Sequence, residues 1–236
     1  MLILLAIAAS LASPARAERC PEPTKFVIAE TQLEMTRAAV KDRRLVILAL
    51  GGAATAGAAA HDPAATYPAR LQAHLGAGLP GVEVMVAVRS VSRRESADVL
   101  PALERDLAAV RPSLVIWGPG ASAAARGEDV DDFAALIDAV MARTRAAHAD
   151  VLLMTLQYAP SLLRLINLAP YRMAVIHAGE SADVPVFDRY DFMRFWSDNG
   201  VMNLDATDKA ERVQVARRLF DCIAQSLAEG IVDAVK

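Results

Sequence analysis

Histidine is scarce in this chain. There are four, at 61, 74, 148 and 177, and none follows His177. Cysteine is scarcer, with only Cys20 and Cys222. No group of these residues has the spacing of a metal site, so neither a metal nor a cofactor is expected. Concentrated positive charge is also missing. Lys and Arg number 25 against 28 Asp and Glu, giving a net charge of −3 without a basic cluster, so a nucleic-acid partner is not expected. Gly51, Gly52 and Gly57 come without the lysine of a phosphate-binding loop and fit neither nucleotide fingerprint.

Long hydrophobic runs are absent as well. The apolar run at 2–11 is well short of the about 20 residues that a bilayer span needs. It is followed by Ser13-Pro14-Ala15-Arg16-Ala17, an A-x-A cleavage pattern, and reads as a secretion signal. No basic residue precedes the run, as would follow from a start further upstream. The expected division is a signal peptide at 1–17, an N-terminal extension at 18–43 and one domain at 44–236. A periplasmic or secreted location without a membrane span follows. In an oxidising compartment the even cysteine count permits a bridge from Cys20 to Cys222, tying both termini; two separate thiols are the other reading, and export favours the bridge.

Apolar residues make up 54% and charged residues 22%, the composition of a packed globule long enough for one α/β domain. Residues 31–40 read as an amphipathic helix. The continuous apolar run 45–50 reads as a strand covered on both faces. A helix at 67–75 and a valine-rich strand at 82–88 come next. Val99, Leu100, Leu103, Leu107 and Val110 recur at helical spacing and stop at Pro112. Strands are expected at 114–117, 151–156 and 184–187. Helices are expected around 133–141 and from about Thr207, the last with Val213, Ala216, Phe220, Ile223 and Leu227 on one stripe. This alternation implies a three-layer α/β/α sandwich around a five-stranded parallel sheet of flavodoxin-like type.

The strand-end motif Leu50-Gly51-Gly52-Ala53-Ala54-Thr55-Ala56-Gly57 resembles the first block of the GDSL/SGNH hydrolases, Gly-Asp-Ser-x-x-x-Gly. Tyr67-Pro68-Ala69-Arg70-Leu71, Leu114-Val115-Ile116-Trp117-Gly118-Pro119-Gly120, Gln157-Tyr158-Ala159-Pro160 and Phe187-Asp188-Arg189-Tyr190 extend the resemblance over roughly 45–231. The resemblance implies an acyl hydrolase with a serine nucleophile, a glycine amide and an asparagine for the oxyanion, and a histidine base oriented by an aspartate. Each position is changed here. The nucleophile position holds Ala53, the oxyanion glycine Arg93, the oxyanion asparagine Ser122, and the Asp-x-x-His block Asn203 and Ala206. No histidine occurs late enough to serve as that base in any register.

The resemblance therefore implies an exported pseudo-hydrolase with a binding or accessory role, its partner a small molecule, a glycan or a protein. The alternative is an esterase acting through a displaced site. Ser90, Ser92 and Ser122 fall on loops at strand ends, and His61 beside Asp62 is a base candidate for them. His74, His148 and His177 read as surface or packing residues. Asp205, Thr207 and Asp208 read as caps of the last helix. The aromatic group Phe187, Tyr190, Phe192, Phe195 and Trp196 reads as packing, with sugar stacking as the functional option.

Overall fold

An uninterrupted apolar strand can only lie between two covering layers, and residues 45–50 are placed that way. In the computed structural model, which describes residues 20–52, 55–57, 59–90 and 96–236, β1 (Arg44–Gly51) is buried from Leu45 to its end. It is the second strand of a five-stranded sheet with order β2-β1-β3-β4-β5, every pairing parallel. The others are β2 (Glu83–Ser90), β3 (Leu114–Gly118), β4 (Asp150–Met154) and β5 (Val186–Phe187). The expected signal segment 1–17 lies outside the described residues, as do Ala53, Ser92 and Arg93.

Strand alternation divides the core into two. Leu45, Ile47, Ala49, Leu114, Ile116, Leu152 and Met154 face one layer, with α2 (Tyr67–Gly78), α8 (Arg189–Asp198) and α9 (Lys209–Val235). Leu48, Leu50, Val115, Trp117, Val151 and Leu153 face the other, with α3 (Ser96–Val110), α4 (Ala121–Arg126), α5 (Val130–Ala146) and α7 (Ala169–Ala182). Each fully buried Leu or Ile contributes on the order of 1.5–3 kcal/mol. The three-layer sandwich is the one the alternation implies.

Several helices carry no clear periodic signal and were not expected. They are α4, the single turn α6 (Pro160–Leu163), α7 and α8. In α7, Pro170 opens the helix and Gly179 interrupts its apolar stripe. The glycine is a packing requirement, because a Cβ there would stand 2.1 Å from Val186 Cγ2 on β5. The fourth and fifth strands are also shorter than expected, since the chain leaves the sheet after Met154 and joins it only at Val186.

The segment ahead of β1 packs onto the α8–α9 side. Ile28 and Leu33 join the core there, and α1 (Glu34–Lys41) follows. Trp196 donates its indole N–H to the Pro21 carbonyl at 2.6 Å, and Phe26 meets Phe187 edge-on at 5.1 Å. The Cys20–Cys222 disulfide closes this contact, with Cα atoms 5.5 Å apart across 202 residues of sequence. At the amino end of the sheet, both the backbone N–H and the hydroxyl of Thr36 donate to Asp150 Oδ2 at 2.7 Å. Burial nevertheless holds the Asp150 pKa above its ordinary value, ahead of the opposing Thr36 bonds. The native state keeps that proton longer than the unfolded chain, so this group costs stability as pH rises through the raised range.

Two outcomes follow. Reduction of the disulfide, or Cys222→Ser, should lower the unfolding free energy in a urea titration by about 2–5 kcal/mol while far-ultraviolet dichroism is kept. Thr36→Val, read in the same titration at several pH values, should cost about 1–2 kcal/mol at neutral pH. That loss should shrink once Asp150 is protonated; a loss independent of pH would contradict the assigned bond.

Candidate functional site

Sites in open parallel sheets form beyond the carboxyl ends of strands where the winding reverses. Here the reversal lies at β1, whose chain crosses outward to β2 and returns to β3. Gly51, the last residue of β1, pairs with Ser90 on one side and Gly118 on the other. The fold thus brings together the starts of the three loops to which sequence reasoning assigns site residues. Gly52, Ser90 and Gly118 are described; Ala53, Ser92 and Arg93, further along these loops, lie outside the described residues.

A cleft of about 60 Å³ opens against this point, lined by Gly52, Trp117, Gly118, Ser122, Arg126 and Phe133 among others. Ser122 lies in the first turn of α4, half-buried. The helix starts there because Gly120 turns the chain at φ +100°, a conformation that favours glycine. A Cβ on Gly120 would stand 2.8 Å from Leu156 Cδ1 and 3.2 Å from Phe133 Cζ, so the cleft wall touches the backbone. Trp117 is buried, and its indole N–H has no hydrogen-bond partner among the described residues.

The remaining expected residues lie elsewhere on this end of the molecule. Asn203 is exposed and donates from Nδ2 to Glu211 Oε1 at 2.9 Å. Ala206 is 9% exposed, in a turn closed by its N–H to the Asn203 carbonyl. Asp208 alone caps α9, accepting from the Glu211 N–H at 2.9 Å. The Tyr158 phenol, in the loop after β4, has its pKa raised by burial first and then by Asp198, Tyr190 and Asp205.

The histidines do not line the cleft among the described residues. His61 is exposed at φ +50° and faces a separate groove of about 600 Å³ with Thr55, Thr66, Val86 and Val88. Asp62 caps the next turn through the Ala64 N–H and lies 3.8 Å from Arg217, and no bond to His61 is formed. His74 pairs with Asp221 at 3.0 Å across α2 and α9. His148 ends α5 in a left-handed turn, and His177 is an exposed residue of α7. Of the aromatic group, Phe187, Phe192 and Trp196 are core, while Tyr190 and Phe195 are half-buried. Among the described residues no three His, Cys, Asp or Glu side chains are grouped to hold a metal.

One residue that sequence reasoning gave no role is Arg189. It opens α8 and is 6% exposed. Its Nε–H donates to the Thr155 carbonyl at 3.1 Å. Burial lowers its pKa to about 10, with the nearby Tyr67 hydroxyl acting the other way. The charged form is therefore less favourable in the fold than in the unfolded chain, a cost relieved only as pH rises above about 10. Burial likewise pushes the Tyr67 hydroxyl up to about 12, opposed by the Arg189 charge and by Thr55. The signal in sequence was a lone arginine on the face that carries Phe192, Met193 and Trp196. Its neighbour Asp188 is engaged separately, accepting from the Thr155 hydroxyl at 2.7 Å and from Arg172.

Sheet order and switch-point cleft are those of a flavodoxin-like α/β/α fold, the type to which the SGNH/GDSL hydrolase fold belongs. The chain belongs to the non-GDSL lipase-like family, whose model matches residues 19–236. Among solved structures, a lipase/acylhydrolase from Enterococcus faecalis is 20% identical with a TM-score of 0.66, covering 81% of this chain and 97% of its own. TesA is 22% identical with a TM-score of 0.59, covering 77% and 97%. A mutant of the acetyl-xylooligosaccharide esterase Axe2 from Geobacillus is 17% identical with a TM-score of 0.62, covering 88% and 96%. These identities carry the fold alone. No curated protein sequence matches the chain.

Gly120→Ala tests whether the cleft wall depends on that backbone turn. Strain and the close approach to Leu156 should cost about 1–3 kcal/mol in chemical denaturation with the fold retained. A neutral effect would contradict the placement of α4.

Proposed function

We propose that this is an exported SGNH-fold protein that binds a small acyl-type ligand at the switch-point cleft without hydrolysing it. In this reading residues 1–17 are removed as a signal, and 18–43 extends the domain 44–236. The reading rests on the alignment that sets alanines, Ala53 and Ala206, at the positions where the family's chemistry needs a nucleophile and a base. Losing one member of such a set costs several orders of magnitude in rate, and the members act as a unit. The cleft supports binding: it keeps a Ser122 hydroxyl and a Trp117 indole N–H beside apolar walls. The separation of His61 from Ser122 into different concavities weighs against a displaced dyad. The Cys20–Cys222 bridge fits an oxidising compartment. Relatives by fold carry names of ester hydrolysis, and the ligand class proposed here is the acyl group that such chemistry handles.

A fluorophosphonate probe with mass mapping, run beside p-nitrophenyl acetate turnover, separates binding from hydrolysis. The expected result is no labelled serine and turnover at the buffer rate. Labelling at Ser90, Ser92 or Ser122 would establish the displaced-site esterase instead. The double variant Ala53→Ser, Ala206→His should stay inactive, because the oxyanion asparagine and the orienting aspartate of the family are also replaced, by Ser122 and Asn203.

A further inference from the structure

We infer that the free edge of β2 is a self-association surface: two copies of the chain pair antiparallel through Glu83 to Arg89, about a twofold axis at Val86, and join their sheets into one. This surface stands apart from the cleft and does not depend on what the cleft binds.

The edge is long, regular and open. β2 runs from Glu83 to Ser90 and contains no proline. None of Glu83 to Arg89 is buried, whereas the neighbouring β1 is buried from Leu45 onward. The opposite edge strand, β5, has two residues, and shortness is one way in which proteins blunt an edge. Grooves of about 600 and 470 Å³ open along the two faces of β2, the first lined by Val86 and Val88, the second by Met85, Ala87 and Arg89. Met85 is 42% and Val88 36% exposed.

Hydrogen bonds identify the backbone groups that face outward. The Glu83 N–H donates inward, to the Arg43 carbonyl at 2.9 Å, so in the strand alternation Glu83, Met85, Ala87 and Arg89 bond towards β1. The Val86 N–H instead meets Gln72 Oε1 at 2.8 Å, and the Val88 carbonyl accepts from Arg89 Nη1 at 2.9 Å. Val84, Val86 and Val88 therefore present N–H and C=O to the free edge. In the single chain two long polar side chains satisfy part of that edge, and both can swing aside.

The strand is complementary to its own reverse. In antiparallel pairing about Val86, Val84 lies opposite the second copy's Val88, and Val86 lies opposite its own counterpart. These are the residues with outward backbone groups, so each pair can exchange both N–H···O bonds. On the α3 face Met85 meets Ala87, and Glu83 meets Arg89 at each end of the symmetric interface. Registers shifted by two residues keep the backbone bonds, yet none of them sets Glu83 against Arg89. Both charges are accessible: the Glu83 side chain is 78% exposed with Arg44 4.0 Å away, and that of Arg89 is 43% exposed beside Asp106. Arg44 and Arg111 line the same groove as Arg89, so the second copy's Glu83 enters a positively charged wall. Opposite charges directly across a strand pair stabilise it and like charges oppose it, which selects this register.

The test is analytical ultracentrifugation of the oxidised mature chain over a micromolar concentration series. The wild type should become dimeric towards the upper end. Glu83→Arg and Arg89→Glu each set like charges opposite one another at both ends of the interface, and each should weaken association about 10- to 100-fold. Mixed together, the two variants should associate again, because the introduced arginine then faces the introduced glutamate while native Arg89 faces native Glu83. Val86→Pro removes an N–H on the free edge, where proline is tolerated, and should leave a monomer with unchanged far-ultraviolet dichroism. A wild type that stays monomeric throughout the series would overturn the inference. So would a dimer that Glu83→Arg leaves unweakened, or two monomeric variants that fail to pair on mixing.

Discussion

Burial of β1 on both faces is the constraint from which the other features follow. A parallel strand that is apolar along its whole length has to be covered twice, and the covering helices differ in kind. On one side α9, the longest helix, lies with α2 and α8, bound to the N-terminal segment through Cys20–Cys222. On the other, α3, α5 and α7 close the second core. Because the chain runs from β1 outward to β2 and then back to β3, the end of β1 is the point where neighbouring loops diverge. The cleft lies there for topological reasons, whatever residues occupy it.

That end is built from glycines, and their cost has a physical return. A side chain on Gly51 would run into Thr55, whose Oγ1 lies 2.0 Å from the Cβ position, whereas one on Gly118 would meet ordinary contacts with Met154 and Arg189. Burying the charged Arg189 costs stability at neutral pH, the direction its lowered pKa indicates. A fold optimised only for stability would place an apolar residue at this position.

Much of this was legible in the residues themselves. Apolar runs at 45–50, 82–88 and 114–117 locate the central strands, and their alternation with helices fixes the layer order. The strand-end block around Gly51-Gly52 locates the end of β1, against which the cleft opens. The expectation of export, together with an even cysteine count, pointed to the Cys20–Cys222 bridge that the structure contains. Other features were hidden for identifiable reasons. Gly179 breaks the stripe of α7 because Val186 needs the space, which is visible only once β5 is in place. Arg189 reads as an ordinary charged residue in sequence. Its burial is produced by Gly118, Tyr67 and Thr155, which are distant along the chain. Likewise, His61 and Asp62 are adjacent in sequence but turn to different tasks, because the left-handed turn at His61 sends the aspartate to cap Ala64.

The central claim is that the cleft holds an acyl compound without forming a covalent bond to it. Intact-mass spectrometry of the oxidised mature chain, quenched after exposure to excess p-nitrophenyl acetate, examines this directly. The account predicts an unchanged mass with only the Cys20–Cys222 bridge in place. A stoichiometric gain of one acetyl group, mapped to Ser90, Ser92 or Ser122, would contradict it.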